Sequence, residues 1–404
     1  MPIFGVVSQE ARGHVVTAIL IAMVAMLFTA VSYGRMARAF PSAGSAYAYV
    51  TNALHPGLGY LTGWSITMDY LLNPIICAVW CSKAAGNFFP YIPFPVLAVG
   101  FAIGFTVLNL RGVETSARVN EWMAVGMGAV ILIFLVYAVR YLTQQHLGAA
   151  DLLRPFYDPR TFSISRLSSG TAIAVLTYIG FDGVSTLSEE VNNPKRNIML
   201  ATVLTCLITG VLSTVEVYAA QLIWPDFRSY PDVDTAFVHV AGRAGGPLLF
   251  SLLNFTLLVA TIGSGFTAQM GAARLLYGMG REDALPRRFF GTLDPVTRIP
   301  RNNVLFSGAL AAVGALVLSF ELGAELLNFG AFIAFMGVNA AAFVYYYAGR
   351  RERSFSYAAV PIAGFTVCCY IWLNLSWTAK LAGTLWLLAG LAYGWWRGKL
   401  RRRK

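Results

Sequence analysis

The sequence predicts an all-α polytopic membrane protein, and three observations lead there. Of its 404 residues, 57% are hydrophobic and only 12% charged, about half the charged share that coats a soluble domain. Mean hydropathy is +0.61. Apolar runs of about 20 residues, enough to cross a hydrocarbon core, recur along the whole chain. Outer-membrane barrels alternate polarity over short segments, whereas these runs are continuously apolar, so the spans are helices.

Charges, prolines and glycines bound each element. An apolar stub covers 1–8. The span 14–38 follows Arg12-Gly13 and closes on Arg35 and Arg38, and 58–86 begins after Pro56-Gly57. The span 93–110 opens on a proline and stops at Arg111, and 119–141 lies between Arg118 and Arg140. Arg166 and Glu189-Glu190 enclose 168–190, and Pro194-Lys195-Arg196 and Pro225 enclose 197–224. Gly246-Pro247 starts 246–274, Pro300-Arg301 precedes 302–320, and 324–348 ends before Gly349-Arg350. The last two spans, 356–375 and 378–396, sit between Arg353 and the basic tail at 397–404. That predicts eleven full spans. Gly100 and Gly104 are expected to let helices approach closely.

If the loop at 39–57 faces the cytoplasm, that side collects more than twice the Lys and Arg of the other. This is the positive-inside pattern of a cell-membrane protein, and it puts the C-terminus in the cytoplasm. It also explains the net charge of +11 without nucleic acid, the basic tail facing anionic lipid. The cysteines (Cys77, Cys81, Cys206, Cys368, Cys369) show no metal or redox spacing and read as small apolar residues. HExxH, P-loop and GxSxG motifs are absent, so no enzyme, metal or cofactor is expected.

Polar residues inside the spans carry the chemistry, since a mid-membrane carboxylate costs at least about 2.5–3.5 kcal/mol. Asp182 lies mid-span in Tyr178-Ile179-Gly180-Phe181-Asp182-Gly183. Two glycines around an aromatic and an acid weaken a helix there, and Asp182 either faces a substrate or caps the second half-helix through the amides of Val184 or Ser185. Asp69 sits at similar depth, beside Tyr70 and ahead of Asn73-Pro74, in a substrate or proton path or as a buried helix-register contact. Glu216 is shallower and reads as solvated or paired. Glu189, Glu190, Lys195 and Arg196 read as a loop salt-bridge cluster. Gly263-Ser264-Gly265-Phe266-Thr267 and Asn328-Phe329-Gly330 are further weak points, with Ser264 and Thr267 offering hydroxyls to an ion or substrate. Tyr345-Tyr346-Tyr347 fits an interfacial belt.

Several of these segments resemble the amino acid–polyamine–organocation superfamily of secondary transporters. They are Pro41-Ser42-Ala43-Gly44-Ser45-Ala46-Tyr47-Ala48-Tyr49, the run from Gly180 to Glu190 with Asn193-Pro194-Lys195-Arg196, Ala273-Arg274-Leu275-Leu276-Tyr277-Gly278, and Asn328-Phe329-Gly330-Ala331. Asp69-Tyr70-Leu71 and the Gly180–Glu190 run look most like bacterial putrescine importers. The resemblance implies a LeuT-like bundle of two inverted five-helix repeats, here 1–141 and 168–348, followed by two additional helices at 356–396. It implies alternating access for a small amine or amino acid, driven by a proton or sodium gradient or by exchange. It places Tyr178, Ile179, Gly180, Phe181, Gly183, Asp182, Asp69 and Asn328, with Ile3 and Gly5 of the stub, around the substrate. Phe181 would be an aromatic gate. Asp182, Asp69, Ser264 and Thr267 are the candidates for ion or proton coupling. The family's first helix begins earlier than Met1-Pro2-Ile3, so only its outer half is expected here, with a truncated, non-transporting remnant as the remaining alternative. A lysine that some proton-coupled relatives carry in the fifth helix is missing from 119–141.

Overall fold

The computed structural model describes residues 1–41, 45–112, 117–186, 191, 193–281, 283–349 and 354–398, without the side chains of 117–120, 186, 194 and 195. Each predicted span meets a helix. The helices are α1 (Phe4–Glu10), α2 (Val15–Ala39), α3 (Ser45–Ala53), α4 (Pro56–Gly86), α5 (Phe94–Leu110), α6 (Ala117–Thr143), α7 (Ala149–Leu153) and α8 (Ile164–Ala174). They continue as α9 (Gly183–Thr186), α10 (Pro194–Ile223), α11 (Ala236–Arg281), α12 (Arg287–Phe290), α13 (Arg301–Val317), α14 (Phe320–Ala342), α15 (Phe355–Leu373) and α16 (Trp377–Trp396). Among the described residues, six helical segments are long and apolar enough to cross a membrane, in α2, α6, α10, α11, α14 with its π-helical extension, and α15. α5 and α13 are apolar but shorter. α4 carries more hydroxyls, and Thr62, Ser65, Thr67 and Ser82 each donate to the carbonyl one turn earlier at 2.6–2.9 Å, which satisfies them inside the helix.

Chain contacts divide the protein into two compact units. The first holds Met1–Val16, Tyr70–Ser163 and Val215–Ala324, the second Thr17–Asp69, Ile164–Thr214 and Glu325–Lys404. In the first unit a buried amide thread joins α5, α11 and α13. The Asn109 side-chain amide donates to Phe266 O at 3.0 Å and to Gln269 Oε1 at 2.9 Å, and Gln269 donates to Thr106 Oγ1 at 2.9 Å. At the α1–α2 junction His14 uses both ring nitrogens: Nδ1 is 2.8 Å from Ala11 O, and Nε2 accepts the Asp158 amide at 3.0 Å. The Asp158 carboxylate takes the Arg160 amide at 3.0 Å and Arg154 Nε at 2.9 Å, bonds that hold its pKa below the usual carboxylate range.

In the second unit, α4 and α16 are tied by a reciprocal tryptophan pair. Trp64 Nε1 donates to Trp386 O at 2.9 Å, and Trp386 Nε1 donates to Trp64 O at 3.1 Å. Their rings stack at 4.9 Å. Glu325 accepts the Ser376 amide at 3.2 Å, and the Ser376 hydroxyl also donates to it. This puts a carboxylate at the start of α16, where free amides favour negative charge.

Four local expectations are corrected. Added Cβ atoms at Gly100 and Gly104 would meet nothing within 4 Å, so α5 makes its close approach elsewhere. At Gly308 a Cβ would lie 2.1 Å from Thr106 Oγ1. α11 stays helical through Gly263–Thr267, and its only non-helical backbone is at Gly246. Gly265 is there for packing, with Phe105 2.6 Å and Cys77 2.8 Å from a Cβ. α14 likewise runs unbroken through Asn328–Gly330, because a Cβ at Gly330 would strike Ser65 O at 2.4 Å. Tyr346 is buried rather than interfacial, donating to Arg35 O at 2.8 Å and stacking on Tyr357 at 5.0 Å. Among the cysteines four are buried and Cys369 is half-buried, all with free thiols.

Candidate transport site

The break predicted around Asp182 is present and lies wholly within the second unit. α8 tightens into a 3₁₀ turn at Val175–Thr177, and α9 restarts at Gly183. Between them the backbone makes i to i+3 bonds, from Phe181 N to Tyr178 O at 3.3 Å and from Gly183 N to Gly180 O at 3.1 Å. Gly180 makes this turn possible at φ +118, a conformation that other residues adopt only under strain. A Cβ at Gly180 or Gly183 would meet nothing within 4 Å, so the broken backbone borders open space.

Asp182 is 4% exposed. Its carboxylate accepts the Gly180 amide at 3.2 Å and is also reached by the amides of Asp182 itself and Gly183. The expected cap of the second half-helix is not made, since Gly180 precedes that half-helix. The Val184 and Ser185 amides go to the carbonyls of Phe181 and Asp182, at 3.3 and 3.0 Å, because the turn closes one residue earlier than a regular N-cap. Asp69, on α4, is equally buried and within Coulombic reach of Asp182. Where Asp182 is wrapped in amides, the one charge acting on Asp69 among the described residues is Asp182 itself. α14 passes α4 one turn from this point, with a Cβ on Gly330 3.5 Å from Asp69 N.

Asn328 is fully buried; its amide nitrogen donates to Ala172 O at 2.6 Å, and its Oδ1 has no partner among the described residues. Thr177 Oγ1, beside the break, is also without a partner among the described residues. Tyr178 donates to Ile19 O at 2.8 Å, fastening the break to α2, and Ile179 is half-buried. Phe181 is completely buried in an aromatic group, 5.5 Å from the Tyr33 ring and 5.4 Å from Phe335. Tyr33 in turn meets Tyr49 of α3 at 6.1 Å. Tyr33 and Phe335 are not legible in the sequence, because an aromatic on a continuously apolar helix carries no signal of its own; Tyr49 stands out only within its motif.

The remaining candidates belong to the first unit. Ile3 is buried, and Gly5 packs where a Cβ would lie 2.0 Å from Val233 O. Ser264 and Thr267 are exposed on α11, and Thr267 donates to Gly263 O and Ser264 O at 2.8 and 3.0 Å. Glu216 is buried, 3.5 Å from the Met1 nitrogen. Glu189 and Glu190, with the side chain of Lys195, lie outside the described residues.

A polytopic helical bundle with one span unwound around a buried carboxylate defines a membrane transporter, since such half-helix ends make midplane sites. The profile of the amino acid permease family matches residues 3–398, and the chain belongs to that family, part of the amino acid–polyamine–organocation superfamily with its LeuT-like fold. It is similar to the low-affinity putrescine importer PlaP of Escherichia coli, 34% identical over 96% of this chain and 87% of that protein. The branched-chain amino acid permease BcaP of Lactococcus lactis is 24% identical over 99% of this chain and 90% of its own length. The methylthioribose transporter of Bacillus subtilis is 24% identical over 96% and 87%.

Proposed function

We propose that this permease imports a small amine, putrescine or another polyamine, by alternating access. The observation that carries the reading is the buried pair Asp69 and Asp182 within Coulombic reach of each other. Two buried negative charges call for cationic partners, and a diamine supplies two. The amides at the helix break support the same cargo. A zwitterionic amino acid needs free amides for its carboxylate, and those at Gly180 and Gly183 are already bonded, to Asp182 Oδ1 and to Gly180 O. Asp69 is then the counter-charge available to an ammonium, with Asn328 Oδ1 and the open backbone at Gly180 as neutral acceptors. The putrescine importer among the relatives supports this assignment.

An amino acid is the second cargo, favoured by the branched-chain amino acid permeases among the relatives. Competition separates the two: labelled putrescine uptake should be blocked by unlabelled diamines and left intact by unlabelled amino acids. Asp69 and Asp182 are the proposed proton carriers, and Ser264 and Thr267 the proposed hydroxyl ligands if the driving ion is sodium. We read 1–141 and 168–348 as the two five-helix repeats, 356–396 as two appended helices and 397–404 as a cytoplasmic tail.

A further inference from the structure

We propose that the segment joining α11 to α13, described at residues 281 and 283–301, is a docking platform for anionic phospholipid headgroups. α11 is long and apolar enough to cross a membrane and α13 is apolar but shorter, which places the segment between them near headgroup level in a family of membrane permeases. Arg281, Arg287, Arg288, Arg298 and Arg301 are all exposed there, and none has an ion pair with a described residue. Three acids share the segment: Glu282 lies outside the described residues, Asp283 is exposed, and Asp294 is occupied. Asp294 Oδ1 takes the amides of Val296 and Thr297 and the Thr297 hydroxyl, at 3.0, 2.9 and 3.1 Å. Between the arginines two apolar side chains stand out of the fold, Phe289 at 43% exposure and Val296 at 88%. Guanidinium groups beside exposed apolar side chains match the phosphate and acyl boundary of a bilayer.

The segment is not a slack basic loop. Asn303, fully buried, donates to Ala273 O at 3.1 Å and to Phe290 O at 3.0 Å, pinning α12 between α11 and α13. Asn302 donates to Phe289 O at 3.2 Å, and the Ala284 amide returns to Met279 O at 2.8 Å. At Gly280 a Cβ would lie 2.5 Å from Gly291 N, so α12 rests directly on the backbone of α11. The arginines are therefore displayed from fixed backbone, which lowers the ordering cost of binding. A role confined to setting membrane orientation would need the charges but not this framework.

The test uses the full chain in lipid nanodiscs of phosphatidylcholine with phosphatidylglycerol, with retained lipid counted by native mass spectrometry. The wild type should retain phosphatidylglycerol in preference to phosphatidylcholine. Each arginine removed should cut that preference about fivefold, so R287Q/R288Q/R298Q should lose about a hundredfold. Neutralising the tail with R401Q/R402Q/R403Q should leave it in place. The unfolding midpoint in neutral detergent checks that the triple variant folds; if it does not, R288Q and R298Q singly should each show the fivefold loss. No preference in the wild type, an undiminished preference in the platform variants, or its disappearance with the tail variant would overturn the proposal.

Discussion

Asp182 and Asp69 are both buried acids, and their surroundings give them different work. Asp182 accepts backbone amides at the helix break, so it shapes the turn as well as charging it. Asp182→Asn keeps an oxygen for the Gly180 amide and removes the charge. We expect at least tenfold slower uptake with an unchanged amount of protein in the membrane. Asp69→Asn leaves the break alone. Loss of one partner of a buried charge pair costs about 2 kcal/mol or more, so KM for putrescine should rise roughly 30-fold, with a smaller change for a monoamine. Outside the membrane, the lowered pKa of Asp158 gives a signed pH effect. Its stabilising contribution is complete above the unfolded carboxylate value near 3.9 and is lost as pH falls through the lower folded value. Thermal unfolding from pH 5 downward should therefore be less steep in Asp158→Asn than in the wild type.

At the scale of elements, glycine has two uses here that one sequence letter hides. Gly330 lets α14 pass against the backbone of α4, and Gly180 supplies a positive φ in open space. Gly330→Ala should cost about 1–3 kcal/mol through overpacking, read as a lower unfolding midpoint in detergent, whereas Gly100→Ala should be neutral. Gly180→Ala should insert normally yet transport poorly, its strain falling on the break alone. The spans were legible because length and apolarity fix a membrane helix. The break at Asp182 was legible because two glycines flank a charge. The continuity of α11 through Gly265 and of α14 through Gly330 was not, because only the partner helix reveals whether a glycine bends or packs. The aromatic group around Phe181 was hidden for the same reason: Tyr33, Tyr49 and Phe335 come from three separate helices.

Across the whole molecule, family membership rests on a match over residues 3–398, and the cargo rests on charge. The central claim is that Asp69 and Asp182 together hold a dication. Uptake of labelled putrescine should be measured in transport-deficient cells expressing this chain, with and without unlabelled amino acids, beside Asp69→Asn. The expected result is saturable putrescine uptake that amino acids do not block and that the substitution weakens roughly 30-fold. Uptake of an amino acid without putrescine, or putrescine uptake indifferent to Asp69, would contradict it.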